Sequence, residues 1–149
     1  MTVYDMIKEN LSNTVPYARY TGVEIIEVSP EHGVTRLEKR DEVENHIQTV
    51  HAGALFTLGE AASGAAMAGL LGEKILSVRP VAAKADIAYL KTAKTDVTAK
   101  AKASISADAA LAALADAGVV QFDVDVVIEN ADNTPVAEMK VGWHVRSVA

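Results

Sequence analysis

The sequence predicts an α+β fold in which a curved antiparallel sheet wraps one long buried helix. Three observations carry this. A single 20-residue stretch, Ala52 to about Leu71, is apolar on every helical face and built largely from Ala and Gly. The other apolar segments alternate with period two and so read as strands. The order helix, two strands, helix, two strands, short helix, two strands leaves one helix to be enclosed by one sheet. Residues 1–149 are expected to form a single domain.

Met1 to Leu11 reads as a short amphipathic helix carrying Asp5, Lys8 and Glu9. It lacks a basic start followed by an apolar core, so no signal peptide is indicated. Gly22 to Val28 and Gly33 to Lys39 read as strands joined by the turn Ser29-Pro30-Glu31-His32-Gly33. Asp41 to Val50 is a polar connection, and Gly72 is a plausible stop for the long helix. A third strand runs from about Val78 to Leu90, broken or entered at Pro80, and a fourth from Asp96 to Ile105. In the fourth, Val97, Ala99, Ala101, Ala103 and Ile105 alternate with polar residues, and their small side chains would let an Ala/Gly helix lie close. Asp108 to Ala117 is a short helix ending at Gly118. Val120, Phe122, Val124, Val126 and Ile128 mark the inner face of a fifth strand. Asn130 to Asn133 turns the chain. Met139, Val141, Trp143 and Val145 mark the inner face of the last strand.

Composition narrows the function classes. Half the residues are hydrophobic and 23% are charged, which is globular rather than disordered. A net charge of −6 argues against nucleic acid as the main partner. The absence of cysteine removes disulfides, thiolate metal sites and a cysteine nucleophile, and fits a reducing cytoplasm. Val50 to Gly72 is long enough to cross a bilayer, but small residues dominate it. Its one carboxylate, Glu60, would cost about 2.5–3.5 kcal/mol near the bilayer centre. No membrane span is expected. His46 and His51 do not stack on one helix face and no metal-binding spacing appears, so no metal is expected. There is no GxSxG elbow and no Walker or dinucleotide glycine pattern.

What remains is the stretch from Asn45 to Glu60. It sets polar groups and a small-residue turn, His51-Ala52-Gly53, before the apolar helix, then one carboxylate two turns inside. A helix start presents unpaired N–H groups and the positive dipole end, which suit a carbonyl gaining negative charge. A lone Glu on an apolar helix is a candidate base or nucleophile, or else a structural carboxylate paired on a neighbouring strand. Asn45 and His51 are candidates to orient water, the carbonyl or the turn, or else Asn45 fixes its loop and His51 packs at the helix start, hydrogen-bonded to a backbone carbonyl. Ser63, one turn past Glu60, either assists with water or bonds back to its helix. Lys74, Arg79, Lys84, Lys91, Lys94, Lys100 and Lys102 are seven of the 14 basic residues. They form a local excess suited to phosphates, or else an ordinary solvated sheet face.

Asn45, His51-Ala52-Gly53, Glu60 and Asp86-Ile87-Ala88-Tyr89-Leu90, in this element order, resemble the hotdog-fold acyl-CoA thioesterases of the phenylacetate-pathway (PaaI-like) type. That family usually shows Asn, a His-Gly-Gly turn, and Asp or Glu nine residues after the His. Both spacings match here, while Ala52 replaces the first glycine and Ala82 and Ala83 stand where some members carry a polar residue. The resemblance implies a hotdog fold and hydrolysis of an acyl-CoA thioester, with no cofactor beyond the coenzyme A of the substrate. Glu60 would be base or nucleophile, and the Ala52 and Gly53 amides an oxyanion hole assisted by Asn45 and His51. Phe56, Ser63, Met67 and Tyr89 would border the acyl group, with Lys84 and Lys91 near the coenzyme A. Ala52 and Glu60 are eight residues apart, about 12 Å of helix axis. One helix therefore cannot present both to a single carbonyl, and a homodimer, or a tetramer built from it, is expected. The competing readings are a non-catalytic acyl-CoA or lipid binder and a hotdog dehydratase or hydratase.

Overall fold

The computed structural model describes residues 1–148. Twelve elements follow one another, named here in chain order. They are α1 (Val3–Thr14), α2 (Pro16–Thr21), β1 (Glu24–Val28), β2 (Gly33–Leu37), a 3-10 turn (Asp41–Val43) and α3 (Ala52–Leu71). A second 3-10 segment (Gly72–Ser77), β3 (Val78–Tyr89), β4 (Val97–Ala103), α4 (Ala107–Ala117), β5 (Val119–Asn130) and β6 (Pro135–Ser147) complete the chain. All six strands form one antiparallel sheet in the order β1-β2-β4-β5-β6-β3. β3 therefore crosses to the far side of the sheet and becomes an edge strand, after which the chain returns to the middle.

The inner face of the sheet follows the alternation in the sequence. Leu37, Val97, Ala99, Val124, Ile128, Val141 and Val145 are fully buried, and Phe122, Val126, Met139 and Trp143 nearly so. α3 lies against this face. Small residues set the distance of approach: a Cβ on Gly33 would strike the backbone of Ala62 and Ala66, and one on Gly69 the Ser29 carbonyl. The Thr35 hydroxyl, wholly buried on β2, donates to the Leu58 carbonyl at 2.9 Å and ties sheet to helix directly. The segment Ala52–Ser77 is apolar enough to cross a membrane, its 18-residue apolar window having a mean hydropathy of 1.4, but 72% of that window is buried inside the fold.

Several boundaries differ from those expected, each for a local reason. α1 starts at Val3 because Thr2 and Asp5 form a reciprocal capping box, and it runs on to Thr14. Pro16, at a first-turn position, opens a second helix where none was expected. That helix ends at Gly22, whose φ of 94° is left-handed, so β1 begins only at Glu24. β2 stops at Leu37, short of Lys39. After Gly72 the chain does not leave helical geometry at once but winds through a 3-10 segment to Ser77. Pro80 lies inside β3, tolerable because β3 is an edge. α3 is not buried all round either. Ala52, Gly53, Phe56, Glu60, Ala61 and Gly64 remain at least partly uncovered, a single stripe at helical spacing.

Candidate active site

The turn before α3 is a closed hydrogen-bonded unit. The Asn45 Oδ1 accepts from the Ile47 and Thr49 amides at 3.1 and 3.0 Å, and its Nδ2 donates to the Thr49 hydroxyl at 2.7 Å. Asn45 thus fixes the loop, which also holds Gln48 at a φ of 57°. His51 is the N-cap of α3. Its Nδ1 accepts from the Gly53 amide at 2.8 Å, and its carbonyl takes the Ala54 and Leu55 amides. This corrects one expectation: the Gly53 N–H is already spent within the turn. Among the described residues, the Ala52 N–H finds no partner. Ala52 lines a cavity of about 340 Å³ together with Asn45, Tyr89 and Lys91. The Tyr89 hydroxyl donates to the Ala52 carbonyl at 3.1 Å and pins the strand end to the helix start.

Two turns along the helix, Glu60 lies half-buried at a separate cavity of about 190 Å³. Its walls include Leu11 and Val15 from the N-terminal helical region, Pro80 of β3, and Trp143 of β6. No hydrogen bond or ion pair reaches its carboxylate from the described residues, and burial holds its pKa above the usual range. The expected alternative, a structural Glu paired on a neighbouring strand, has no partner here.

The other expected site residues divide. Phe56 shares the uncovered stripe with Glu60, and Met67, almost fully buried, borders the Glu60 cavity. Ser63 is wholly buried and fully engaged. Its hydroxyl donates to the Glu60 carbonyl at 2.7 Å and accepts from the Trp143 indole at 3.1 Å, so it positions Trp143 rather than meeting a ligand. Lys91 borders the Ala52 cavity, whereas Lys84 is exposed on β3 beside Asp86 at 3.6 Å. The basic residues do not make one patch. Lys91 and Lys94 lie beside the start of α3. Lys74 and Arg79 lie beyond its other end, about 30 Å along the axis. Lys100 pairs with Glu129 on the sheet.

Leu11, Val15, Pro80 and Trp143 were not anticipated around Glu60. The one available signal was the apolar spacing Val3-Ile7-Leu11, which marks a face that must cover something.

The sequence profile of the family described as a domain of unknown function (DUF4442) matches residues 5–145. The chain belongs to the DUF4442 family. No curated protein matches this DUF4442 chain. Solved structures of similar fold include PA5026 from Pseudomonas aeruginosa, a protein of unknown function called a probable thioesterase. It is 20% identical, covers 96% of this chain and 95% of its own, and has a TM-score of 0.83. The PaaI protein of the phenylacetic acid degradation operon of E. coli is 18% identical, with 99% and 97% coverage and a TM-score of 0.76. A protein of unknown function from Chlorobaculum tepidum is 13% identical, with 97% and 94% coverage and a TM-score of 0.81. This DUF4442 protein therefore has the hotdog fold, shared with these structures.

Proposed function

We propose that this protein hydrolyses an acyl-CoA thioester at two equivalent sites shared across a homodimer. The observation that carries the reading is the Glu60 carboxylate, half-buried, unpaired and open to a cavity. A buried carboxylate with raised pKa and no partner is costly to keep unless its basicity is used. PA5026, a protein of the same fold, is called a probable thioesterase, which supports the same chemistry.

The dimer follows from the chemistry and from the edge of the sheet. β3 is 12 residues long, mostly exposed, and has one side free of any strand. A free edge of that length is a template for a second strand. A two-fold axis through it would continue the sheet and set the two copies of α3 side by side and antiparallel. The uncovered stripe Gly53-Phe56-Glu60-Gly64 would then face its counterpart, with Glu60 of one protomer towards the Ala52 end of the other.

In this arrangement the thioester carbonyl oxygen points at the Ala52 N–H of the partner, where the helix dipole adds to the hydrogen bond. Glu60 takes a proton from water, and the resulting hydroxide attacks the carbonyl carbon. Alternatively, Glu60 attacks directly and its anhydride is hydrolysed. Collapse of the tetrahedral adduct expels the coenzyme A thiolate, which acquires a proton, and leaves the free acid. Asn45 and His51 hold the turn that aims the Ala52 amide. Lys91, beside the same cavity, is suited to a phosphate of coenzyme A. Cytoplasmic placement accords with an acyl-CoA substrate.

The test is Glu60→Gln, which keeps size and polarity and removes the base. Hydrolysis of acyl-CoA should fall by at least about a hundredfold while the sedimentation coefficient of the dimer is unchanged. A wild-type protein that binds acyl-CoA and never hydrolyses it is a binder, and the enzyme reading ends there.

A further inference from the structure

We propose that the acyl group is an unbranched aliphatic chain of medium length, laid from Glu60 along an apolar channel roofed by α1. This deepens the hydrolase reading above and rests on it for the position of the thioester.

The Glu60 cavity adjoins a second one. Leu11, Met67 and Pro80 line the first, and the same three residues line the second, of about 370 Å³. The second runs on between α1 and the far half of α3, past Ile7 and Ala68, to Leu76 in the 3-10 segment. No charged residue lines it. Its one polar wall, Asn10, lies on the solvent side of α1, where Thr14 hydrogen-bonds to it.

The gap has a packing cause. α1 docks on α3 mainly through Ile7, against Val28, Ala65 and Ala68, in a small cluster apart from the main core. The two alanines under the helix are too small to fill the space beside Ile7. Among the described residues the only aromatic side chain at either cavity is Trp143, next to Glu60, so the distal part suits an alkyl chain rather than an aryl ring.

The length follows from the helix. Glu60 and Ala68 are eight residues apart, about 12 Å of axis. An extended chain of single bonds advances about 1.2 Å per bond, judged from the reach of an extended backbone. The channel therefore takes roughly eight to ten carbons before the tail emerges at Leu76, which is 84% exposed.

Two measurements test this. The first is kcat/KM for acetyl-, butanoyl-, hexanoyl-, octanoyl-, decanoyl-, dodecanoyl-, palmitoyl- and phenylacetyl-CoA. It should rise about fourfold per methylene from butanoyl to octanoyl, the equivalent of about 0.8 kcal/mol, and level off beyond decanoyl. Leu11→Trp, at the junction of the two cavities, and Leu76→Asp, at the exit, should each lower the decanoyl-to-butanoyl ratio at least about tenfold. The second is calorimetry of decanoate binding to the Glu60→Gln protein with and without Leu11→Trp, which needs no turnover. Decanoate should bind, and the tryptophan should weaken it at least about tenfold. Hydrolysis that is flat across chain length, or fastest with phenylacetyl-CoA, overturns the channel and leaves the hydrolase reading intact. Decanoate binding that Leu11→Trp weakens, with no acyl-CoA hydrolysed, supports the channel and ends the hydrolase reading. Decanoate that does not bind, or binds equally to the tryptophan variant, overturns the channel whatever the enzyme hydrolyses.

Discussion

Three glycines inside α3 meet three different surroundings, and replacing each by alanine should give three different results. In a helix interior, Gly→Ala gains about 1 kcal/mol from backbone entropy alone. At Gly64 the new methyl would lie 3.6 Å from the Trp143 ring, an ordinary contact, so that gain should be kept. At Gly59 it would come within 2.7 Å of the Met139 sulfur, a flexible atom that can yield, and the change should be near zero. At Gly69 it would strike the Ser29 carbonyl, part of the β1–β2 turn, which can move only by lifting the hairpin off the helix. Overpacking of that kind costs about 1–3 kcal/mol, and after the entropy gain a net loss of about 1 kcal/mol is expected. For a chain of this size each kcal/mol moves Tm by about 2–4 °C. Gly64→Ala should therefore melt about 2–4 °C higher and Gly69→Ala about 2–4 °C lower. Thermal unfolding by circular dichroism at one fixed protein concentration reads all three, since the proposed dimer would make Tm depend on concentration. Gly64 also lines the Glu60 cavity, so its methyl should slow acyl-CoA hydrolysis while it stabilises the fold. A Gly69→Ala protein as stable as the parent would refute the close helix–hairpin packing. A Gly64→Ala protein that melts lower would refute the open space beside Trp143.

The raised pKa of Glu60 has two consequences of opposite kind. As a base it must be ionised, so kcat/KM should climb with pH through a value above the ordinary carboxylate range, and a pH–rate profile tests this. For stability the sign reverses. A carboxyl whose pKa is higher in the folded state contributes stability that is complete below its unfolded pKa and lost as pH rises through the folded one. Glu60→Gln should therefore raise Tm at neutral pH and lose that advantage in acid; an equal shift at both pH values counts against burial as the cause. Ser63→Ala should strand the buried Trp143 N–H, lower stability by about 1–3 kcal/mol and shift the emission of the single tryptophan. His51→Ala removes the cap on Gly53 and should cost about 0.5–2 kcal/mol, measurable as a lower urea midpoint at unchanged m-value.

The alternating residues of β4, β5 and β6 and the unbroken apolar run of α3 carried their structure in the sequence, because side-chain period and burial are local properties. So did the identity of Glu60 and the place of His51 directly before the helix, since a carboxylate in an apolar helix and a polar residue before it can be read without knowing the neighbours. What surrounds them could not be read. The Gly53 amide turned inward because the His51 ring folds back on it, and Ser63 turned to Trp143, 80 residues away. β3 became an edge only when the sheet order carried it past β6. Leu11 and Pro80 reached Glu60 only when α1 and β3 packed against α3. Periodicity fixes which face of an element is apolar. Which distant element covers that face, and which N–H or carboxylate is left without a partner, depends on contacts between residues far apart in the chain, and those exist only once it has folded.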